Sequence, residues 1–375
     1  MNFTPHGRQA SKLRLVALLV LAICAASCKR QQKPVSSVGR EENRQELARK
    51  IERAIEAAGR SQVWIIPSAD RSSARPEAPA EARAGSEVYS TVVGALRREA
   101  RENHLEVSEN EIRNKEGLRV ADIRLLHRGK LFSRWTIREV PRLLHAAIII
   151  DDLGTSLEKP RQLLALPYAL TLSIIPHLGA STETAREARR AGHEVMLHLP
   201  MEPMPSPHAP PGQADIRVGM NRLEVEQAID SDLASVPQAA GVNNHMGSRA
   251  TADPRLMAMV MKLLAGRHLF FIDSRTTALS VAFDAARRQG LPAFYRSVFL
   301  DDAQSVPYTV GQLREFRRVL EQQGAALAIG HPYPTTIAAL AKFLPAILGD
   351  DVELEPASQL LQLPEISRLK PPPAR

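Results

Sequence analysis

The chain has 375 residues, of which 44% are hydrophobic and 24% charged, and its formal net charge is +8. This composition excludes a disordered or fibrous chain and leaves room for one large and one smaller globular domain. Aromatic residues make up only 4%, which disfavours stacking on single-stranded nucleic acid, so we expect no nucleic-acid partner. The basic excess lies before Leu144. It fits an anionic membrane surface or envelope polymer, and equally a solvated surface with no partner.

The N-terminus has the features of an export signal. Basic residues precede an apolar run over residues 15–26 that is too short to span a bilayer. The run ends in Ala-Ala-Ser-Cys28, which resembles a bacterial lipobox. We therefore interpret residues 1–28 as a lipoprotein-type signal peptide with Cys28 as the lipidated residue. The protein is then periplasmic and held at the membrane through that lipid only; cleavage without lipidation is the alternative. Both cysteines lie in this segment, so the mature domains have no disulfide and no thiol catalyst.

Residues 29–40 are polar and predict a tether, and residues 41–143 predict a small α+β domain. The elements expected in this domain are helices over 41–58 and 88–102, a strand over 63–66, and a hairpin of strands 118–126 and 131–140. Residues 70–85 are rich in Ala, Arg, Pro and Glu and predict a flexible loop. No catalytic constellation is recognisable in this part.

From residue 144 to residue 362, apolar strand-like runs alternate with amphipathic helices. The strands predicted here are 146–150, 170–175, 194–198, 241–244, 269–273, 294–297 and 325–329, with a short last one over 352–354. The helices predicted between them are 182–191, 222–236, 255–264, 281–289, 310–323 and 336–348. Seven β/α units predict a parallel, mostly buried sheet, and the pattern fits both a doubly wound sheet and a closed barrel. Residues 363–375 predict a Pro-rich tail.

Asp and His residues stand at the carboxyl ends of five predicted strands. They are the pair Asp151-Asp152, then His198, His245, Asp273 and His331. In β/α folds these strand ends converge on one face, where active sites form. A single His there is often a hydrogen-bonded structural residue, and an Asp pair is often a helix N-cap. Five separate strands with the same feature favour a functional site.

Metal-assisted hydrolysis is the chemistry that this set of side chains allows. One carboxylate with two imidazoles suits zinc or another divalent metal that keeps an open position for water. Bound metal lowers the pKa of water to about 7, a second carboxylate can take the proton, and a distant His can protonate the leaving amine. The sequence has no Gly-rich phosphate loop and no Gly-x-Ser-x-Gly elbow, which disfavours nucleotide binding and a serine nucleophile.

Four segments together resemble the motifs of the divergent polysaccharide deacetylases, a branch of the NodB-like carbohydrate esterases. They are Ile148–Gly154 with its Asp pair, Gly192–Glu202 with Gly-His-Glu and His-Leu-Pro-Met-Glu, Asn243–Ser248 with Asn-Asn-His-Met-Gly-Ser, and Ile329–Pro332. The resemblance covers residues 144–362. It implies a deformed seven-stranded β/α barrel behind the small α+β domain. It also implies a metal-dependent hydrolase that removes acetyl groups from an envelope or extracellular polysaccharide, with a divalent metal, expected to be Zn²⁺, as cofactor.

The resemblance further implies roles for individual residues. By motif, Asp151 is the catalytic base, Asp152 and His198 are metal ligands, and His331 is the catalytic acid.

One position departs from the family pattern. The family's second metal-binding His, four residues after the first, is here Glu202, so the third ligand is either Glu202 or His245. We favour His245 because two His and one Asp preserve the usual ligand chemistry. Asp273, Ser274 and Arg275 stand where the family places residues that orient the catalytic groups, and Ser248 is a further candidate.

Two other functions fit the same residues. One is a non-catalytic barrel that binds glycan or an envelope protein after losing the standard ligand set. The other is a metal hydrolase of a different bond, such as an amide in peptidoglycan. Metal content separates the deacetylase from the first, and the product, acetate or a new peptide amine, separates it from the second.

Overall fold

The computed structural model describes residues 37–66, 80–205 and 215–369. The chain divides into two compact units, with the boundary between Ala54 and Ile55. In the first unit the described residues are helical and belong to α1 (Ser37–Gly59). This helix begins inside the predicted tether, and its sequence contains no proline that would interrupt it. Cys28 and its predicted lipidation lie outside the described residues.

The second unit begins with a five-stranded sheet and one helix. The strands are β1 (Val63–Ile66), β2 (Ala80–Gly85), β3 (Glu106–Arg113), β4 (Arg119–His127) and β5 (Lys130–Val140), in the order β1-β2-β5-β4-β3. Helix α2 (Tyr89–Glu102) buries Val92, Val93 and Leu96. The β4–β5 pair confirms the predicted hairpin. The sequence pattern missed β3 because this edge strand is largely exposed and carries few apolar residues.

Residues 80–85 differ from the loop predicted over 70–85. They form β2, which pairs antiparallel with β1 and parallel with β5. Its inward residues are Ala82 and Ala84, both fully buried. Alanine has a low strand preference, so the composition resembled a linker, while pairing on both edges makes the segment a strand. Residues 67–79 lie outside the described part of the chain.

A nine-stranded parallel sheet forms the rest of this unit. Its strands are β6 (Leu144–Leu153), β7 (Thr171–Ile174), β8 (Glu194–Met201), β9 (Gly241–Met246), β10 (Phe270–Asp273), β11 (Ala293–Tyr295), β12 (Val298–Phe299), β13 (Ala325–Gly330) and β14 (Val352–Leu354). The order is β11-β10-β9-β8-β7-β6-β13-β12, with β14 also beside β6. Strands therefore follow chain order from β6 to β11, and β12 and β13 return to the other edge of β6. This is a deformed β/α barrel, as predicted, with all seven expected strands present.

Helices follow most of these strands. They are α3 (Glu158–Leu164), α4 (Ser181–Arg190), α5 (Arg222–Ser235), α6 (Pro254–Ala265), α7 (Ala282–Arg288), α8 (Val306–Gln323), α9 (Pro334–Leu348) and α10 (Ala357–Leu360). The six predicted helices are all present, and α3 and α10 are two further short helices that the sequence analysis did not predict. No helix in the described ranges is long and apolar enough to cross a membrane.

Polar contacts join the segment before β1 to the first barrel strand. The Gln62 side chain accepts a hydrogen bond from the Leu143 backbone N–H at 3.0 Å and donates one to its carbonyl at 3.2 Å. His145 is buried, and its Nε2 lies 2.6 Å from the Ser61 carbonyl, which can only accept. The boundary predicted near residue 144 is therefore crossed by specific hydrogen bonds.

The fold continues past residue 362, where the Pro-rich tail was expected to start. Residues 364–368 form a short 3₁₀ helix. Ile366 is 2% exposed and belongs to the barrel core, and Leu369 packs against the same core. Ile366, two residues after Pro364, anchors this segment in the core. The Pro-rich composition of residues 363–375 gave no indication of this.

Candidate metal centre and active site

The Asp151-Asp152 pair lies at a bulge in β6. Between two consecutive paired positions, β6 carries one residue more than its neighbour β7. Adjacent residues of a regular strand point to opposite faces, whereas a bulge re-aims a side chain, and Asp152 has a φ of 57°. Both carboxylates reach the same imidazole. His198 Nε2 lies 3.7 Å from Asp151 Oδ2 and 3.1 Å from Asp152 Oδ1.

Gly154 allows the chain to turn immediately after this bulge. Its φ is +122°, a conformation that side-chain-bearing residues rarely adopt. A Cβ atom there would lie 3.0 Å from the Ile175 carbonyl oxygen and 2.7 Å from Ser181 Oγ. Glycine is therefore required by backbone conformation and by space.

Asp152, His198 and His245 are brought together from three different strands. His198 belongs to β8, and His245 stands near the end of the adjacent β9. His245 Nδ1 lies 3.0 Å from Asp152 Oδ1, and the centroids of the two imidazole rings are 4.8 Å apart. One ligand atom from each residue lies within 4.8 Å of the others. A single cation can reach all three.

The chemistry of this group fits the metal that the resemblance implies. Burial raises the pKa of Asp152, but His198 and His245 lower it more, so it lies well below its ordinary value and the carboxylate stays ionised. Asp152 Oδ1 is buried, and no donor among the described residues makes a well-aligned hydrogen bond to it. A buried ionised oxygen without a donor is costly, and a bound cation would satisfy it. Two imidazoles and a carboxylate suit zinc or another divalent metal.

Asp151 is held beside this group by a neutral partner. Its side chain is 3% exposed, and its Oδ1 accepts a hydrogen bond of 2.8 Å from Asn243 Nδ2. Its other oxygen, Oδ2, is the one directed toward His198. Asp151 Oδ1 is therefore fixed by Asn243, and Oδ2 faces the three residues that can share a cation.

His331 reaches the same place from the loop after β13. Its Nδ1 lies 3.0 Å from Asp301 Oδ1, and Asp301 Oδ2 accepts hydrogen bonds from the His331 backbone and from Thr336 Oγ1, each at 2.6 Å. Nε2 lies 3.7 Å from Asp152 Oδ2. Burial lowers the pKa of His331, but Asp301 and the nearby Asp151 and Asp152 raise it more, so it lies above its ordinary value. The geometry therefore places the His331 ring beside Asp152.

Glu202 lies apart from the group that can share a cation. Its Oε1 accepts a hydrogen bond of 2.7 Å from Arg249 Nη1, and its Oε2 accepts one of 2.8 Å from the Val218 backbone. Its carbonyl also accepts from the backbone N–H groups of Arg249 and Ala250. These contacts tie the loop after β8 to the turn after β9, and both carboxylate oxygens are used in doing so.

The remaining candidates hold loops around the site. Asp273 is fully buried and accepts hydrogen bonds from the Arg275 backbone at 2.8 Å and the Ser280 hydroxyl at 2.7 Å. Burial raises its pKa, and these hydrogen bonds offset the rise only in part. Ser248 Oγ accepts a 2.8 Å hydrogen bond from the Met204 backbone. Asp273 and Ser248 therefore shape the loops after β10 and β8.

Two polar partners of the site residues, Asp301 and Asn243, were not predicted from the sequence. Asp301 follows β12, which has only two residues and gives no strand pattern. The sequence feature that could have identified Asp301 is the Asp301-Asp302 pair directly after an apolar run, the same pattern as at Asp151-Asp152. Asn243 lies inside a motif segment but carries no charge that would single it out.

Comparison with known proteins gives the family. Residues 148–361 match the divergent polysaccharide deacetylase family model. An uncharacterized protein of Haemophilus influenzae is 37% identical over 208 residues, covering 56% of this chain and 73% of that protein. The uncharacterized protein YibQ of Escherichia coli (strain K12) is 36% identical over 226 residues, covering 60% and 70%. The crystal structure of an uncharacterized protein from Agrobacterium tumefaciens C58 is 26% identical with a TM-score of 0.55, covering 58% of this chain and 89% of that one. Because the family match spans more than half of the sequence, this chain belongs to the divergent polysaccharide deacetylase family.

Proposed function

We propose that this protein is a metal-dependent deacetylase that removes acetyl groups from an envelope or extracellular polysaccharide. The buried Asp152 Oδ1 supports this function, because it has no aligned hydrogen-bond donor and lies 3.1 Å from His198 Nε2 and 3.0 Å from His245 Nδ1. We assign these three residues as ligands of a divalent metal, with Zn²⁺ as the first candidate. Membership of the family supports an acetylated glycan as the substrate.

Asp151 is the general base in this proposal. A metal bound beside it would polarise the acetyl carbonyl and lower the pKa of water. Asn243 holds Oδ1, so Oδ2 accepts the proton of the water that attacks the acetyl carbon. The new bond joins the water oxygen to that carbon, and the bond from the carbon to the sugar nitrogen or oxygen breaks.

His331 is the general acid. Asp301 engages Nδ1 and favours the protonated ring, so Nε2 carries the proton that the leaving group needs. For an N-acetyl group the products are acetate and a free amine on the sugar. At the end of the reaction Asp151 has gained a proton and His331 has lost one. Proton exchange with solvent returns both side chains to their starting protonation states.

Acetate release from N-acetylated glycan oligomers and from peptidoglycan tests the proposal. The zinc-loaded protein should release acetate, and Asp151→Asn should lose about 100-fold or more of the turnover while keeping its metal, because an amide cannot accept the proton. Asp302→Asn is the matched control, since Asp302 is exposed and its side chain is hydrogen-bonded to Tyr308 and not to a site residue. A loaded wild type that releases a new peptide amine instead of acetate contradicts the substrate class. A wild type that neither binds metal nor turns over favours the non-catalytic barrel.

We also propose that the mature protein is exported to the periplasm and anchored through a lipid on Cys28. The support is the order of basic residues, apolar run and Ala-Ala-Ser-Cys28 in the first 28 residues. Mass spectrometry of the native N-terminus should find lipidated Cys28 with residues 1–27 removed. A lipid-free mature chain that begins elsewhere contradicts the anchor and leaves export intact.

A further inference from the structure

We propose that Asn243 is the positioning residue of this site, and that its single amide fixes both the tautomer of the metal ligand His198 and the orientation of the base Asp151. The roles of these two partners rest on the proposed function. The contacts themselves do not.

Sheet register places Asn243 under the site. It pairs with His198 of β8 on one side and with Ile272 of β10 on the other, and it is 0% exposed. Its Oδ1 accepts hydrogen bonds from His198 Nδ1 at 2.8 Å and from Ser173 Oγ at 2.6 Å. Its Nδ2 donates to Asp151 Oδ1 at 2.8 Å and to Ser274 Oγ at 3.3 Å. All four hydrogen-bonding positions of the amide are occupied.

The direction of the amide is set by its contacts on two sides. Its N–H₂ group faces the carboxylate oxygen Asp151 Oδ1, which accepts a hydrogen bond, and its oxygen faces His198 Nδ1. That oxygen also only accepts, so the hydrogen of a neutral His198 ring must sit on Nδ1. Nε2 is then left with its lone pair, and it is the nitrogen that lies 3.1 Å from Asp152 Oδ1. The base and the metal ligand are therefore set by one side chain.

Three variants separate this role from a structural one. Asn243→Leu has a similar size but removes the amide, so His198 loses its fixed tautomer and Asp151 loses its donor. Asn243→Asp keeps an acceptor for His198 and replaces the donor toward Asp151. Ser173→Ala is the matched control, because it removes another contact to the same amide oxygen and leaves the amide tied to both site residues.

The experiment measures zinc affinity by competition with a chelator, the His198 tautomer by ¹⁵N NMR of the metal-free protein at a pH where the ring is neutral, and kcat and KM for acetate release. Asn243→Leu should weaken zinc binding about 10- to 100-fold and mix the two tautomers of His198. Asn243→Asp should keep the Nδ1–H tautomer and the zinc while kcat falls at least about 10-fold with KM little changed. Ser173→Ala should behave as the wild type in all three measurements.

A folded Asn243→Leu protein with wild-type zinc affinity and an unmixed Nδ1–H tautomer overturns the proposal. So does an Asn243→Asp protein with wild-type kcat. If Asn243→Leu fails to fold, the Asn243→Asp result decides. If the wild type binds zinc but releases no acetate while Asn243→Leu still changes the tautomer and the zinc affinity, the positioning role stands and the deacetylase assignment fails.

Discussion

Each proposed catalytic side chain is held by one polar partner. Asp151 is held by Asn243, and His331 by Asp301. The sequence predicted the first member of each pair, because a charged or imidazole side chain at a strand end interrupts an apolar pattern. It did not predict the partners, since an uncharged amide and a carboxylate after a two-residue strand leave no such signal.

Asp301→Asn should move the alkaline limb of the pH–activity profile to lower pH. Burial lowers the pKa of His331, and Asp301 is the first of the groups that raise it again. The acid form of His331 is present below its pKa and is lost as the pH rises through that value. Removal of the Asp301 charge lowers this pKa, so activity should begin to decline at a lower pH than in the wild type. The profile of kcat against pH checks this, with Asp302→Asn as the control. An unmoved limb would mean that another group supplies the proton.

The bulge in β6 is the element that makes the two neighbouring carboxylates share one site. Residues 146–150 predict a strand from their apolar run, but the extra residue at Asp151-Asp152 depends on the register with β7, which packing sets. The turn at Gly154 follows directly and keeps the bulged residues in place. The sequence therefore predicted that β6 is a strand, but it did not predict the bulge within it.

Gly154→Ala should destabilise the protein and weaken zinc binding. The positive φ alone costs about 1–3 kcal/mol, and the new Cβ meets the Ile175 carbonyl oxygen at 3.0 Å, a backbone atom that cannot move aside cheaply. Gly219→Ala is the control, because its φ is +94° but no atom lies within 4 Å of its Cβ position. Urea denaturation should give a larger loss in the free energy of unfolding for Gly154→Ala. Equal losses would show that crowding at Gly154 contributes nothing.

The repeated β-then-α order predicted the parallel sheet, and the family resemblance favoured a barrel over a doubly wound sheet. The observed strand order follows the chain around the barrel. Hydrophobic periodicity did not predict β12, because this strand has only two residues. It also did not predict the segment around Ile366, because that segment lies in a Pro-rich stretch. The division into domains at residues 41–143 and 144–362 stays a prediction.

Two fragments test that division and the true end of the barrel. Residues 142–369 should fold alone and keep the metal site. Residues 142–362 lack Ile366, whose burial contributes about 1.5–3 kcal/mol, so this fragment should melt at a lower temperature. Thermal denaturation followed by circular dichroism makes the comparison. If both fragments are insoluble while the full mature chain folds, the boundary is wrong. The hydrogen bonds of Ser61 with His145 and of Gln62 with Leu143 would then belong to a core that both parts share.

Elemental analysis of the purified mature protein decides whether Asp152, His198 and His245 bind a divalent metal. The wild type should carry about one metal ion per chain, while His198→Ala and His245→Ala should carry almost none, because losing one of three protein ligands leaves too few bonds. Glu202→Gln should keep the metal, since the Glu202 carboxylate is engaged with Arg249 and Val218. A wild type that takes up no metal, or a His245→Ala protein that stays fully loaded while Glu202→Gln is empty, would show that these three residues do not form the metal site.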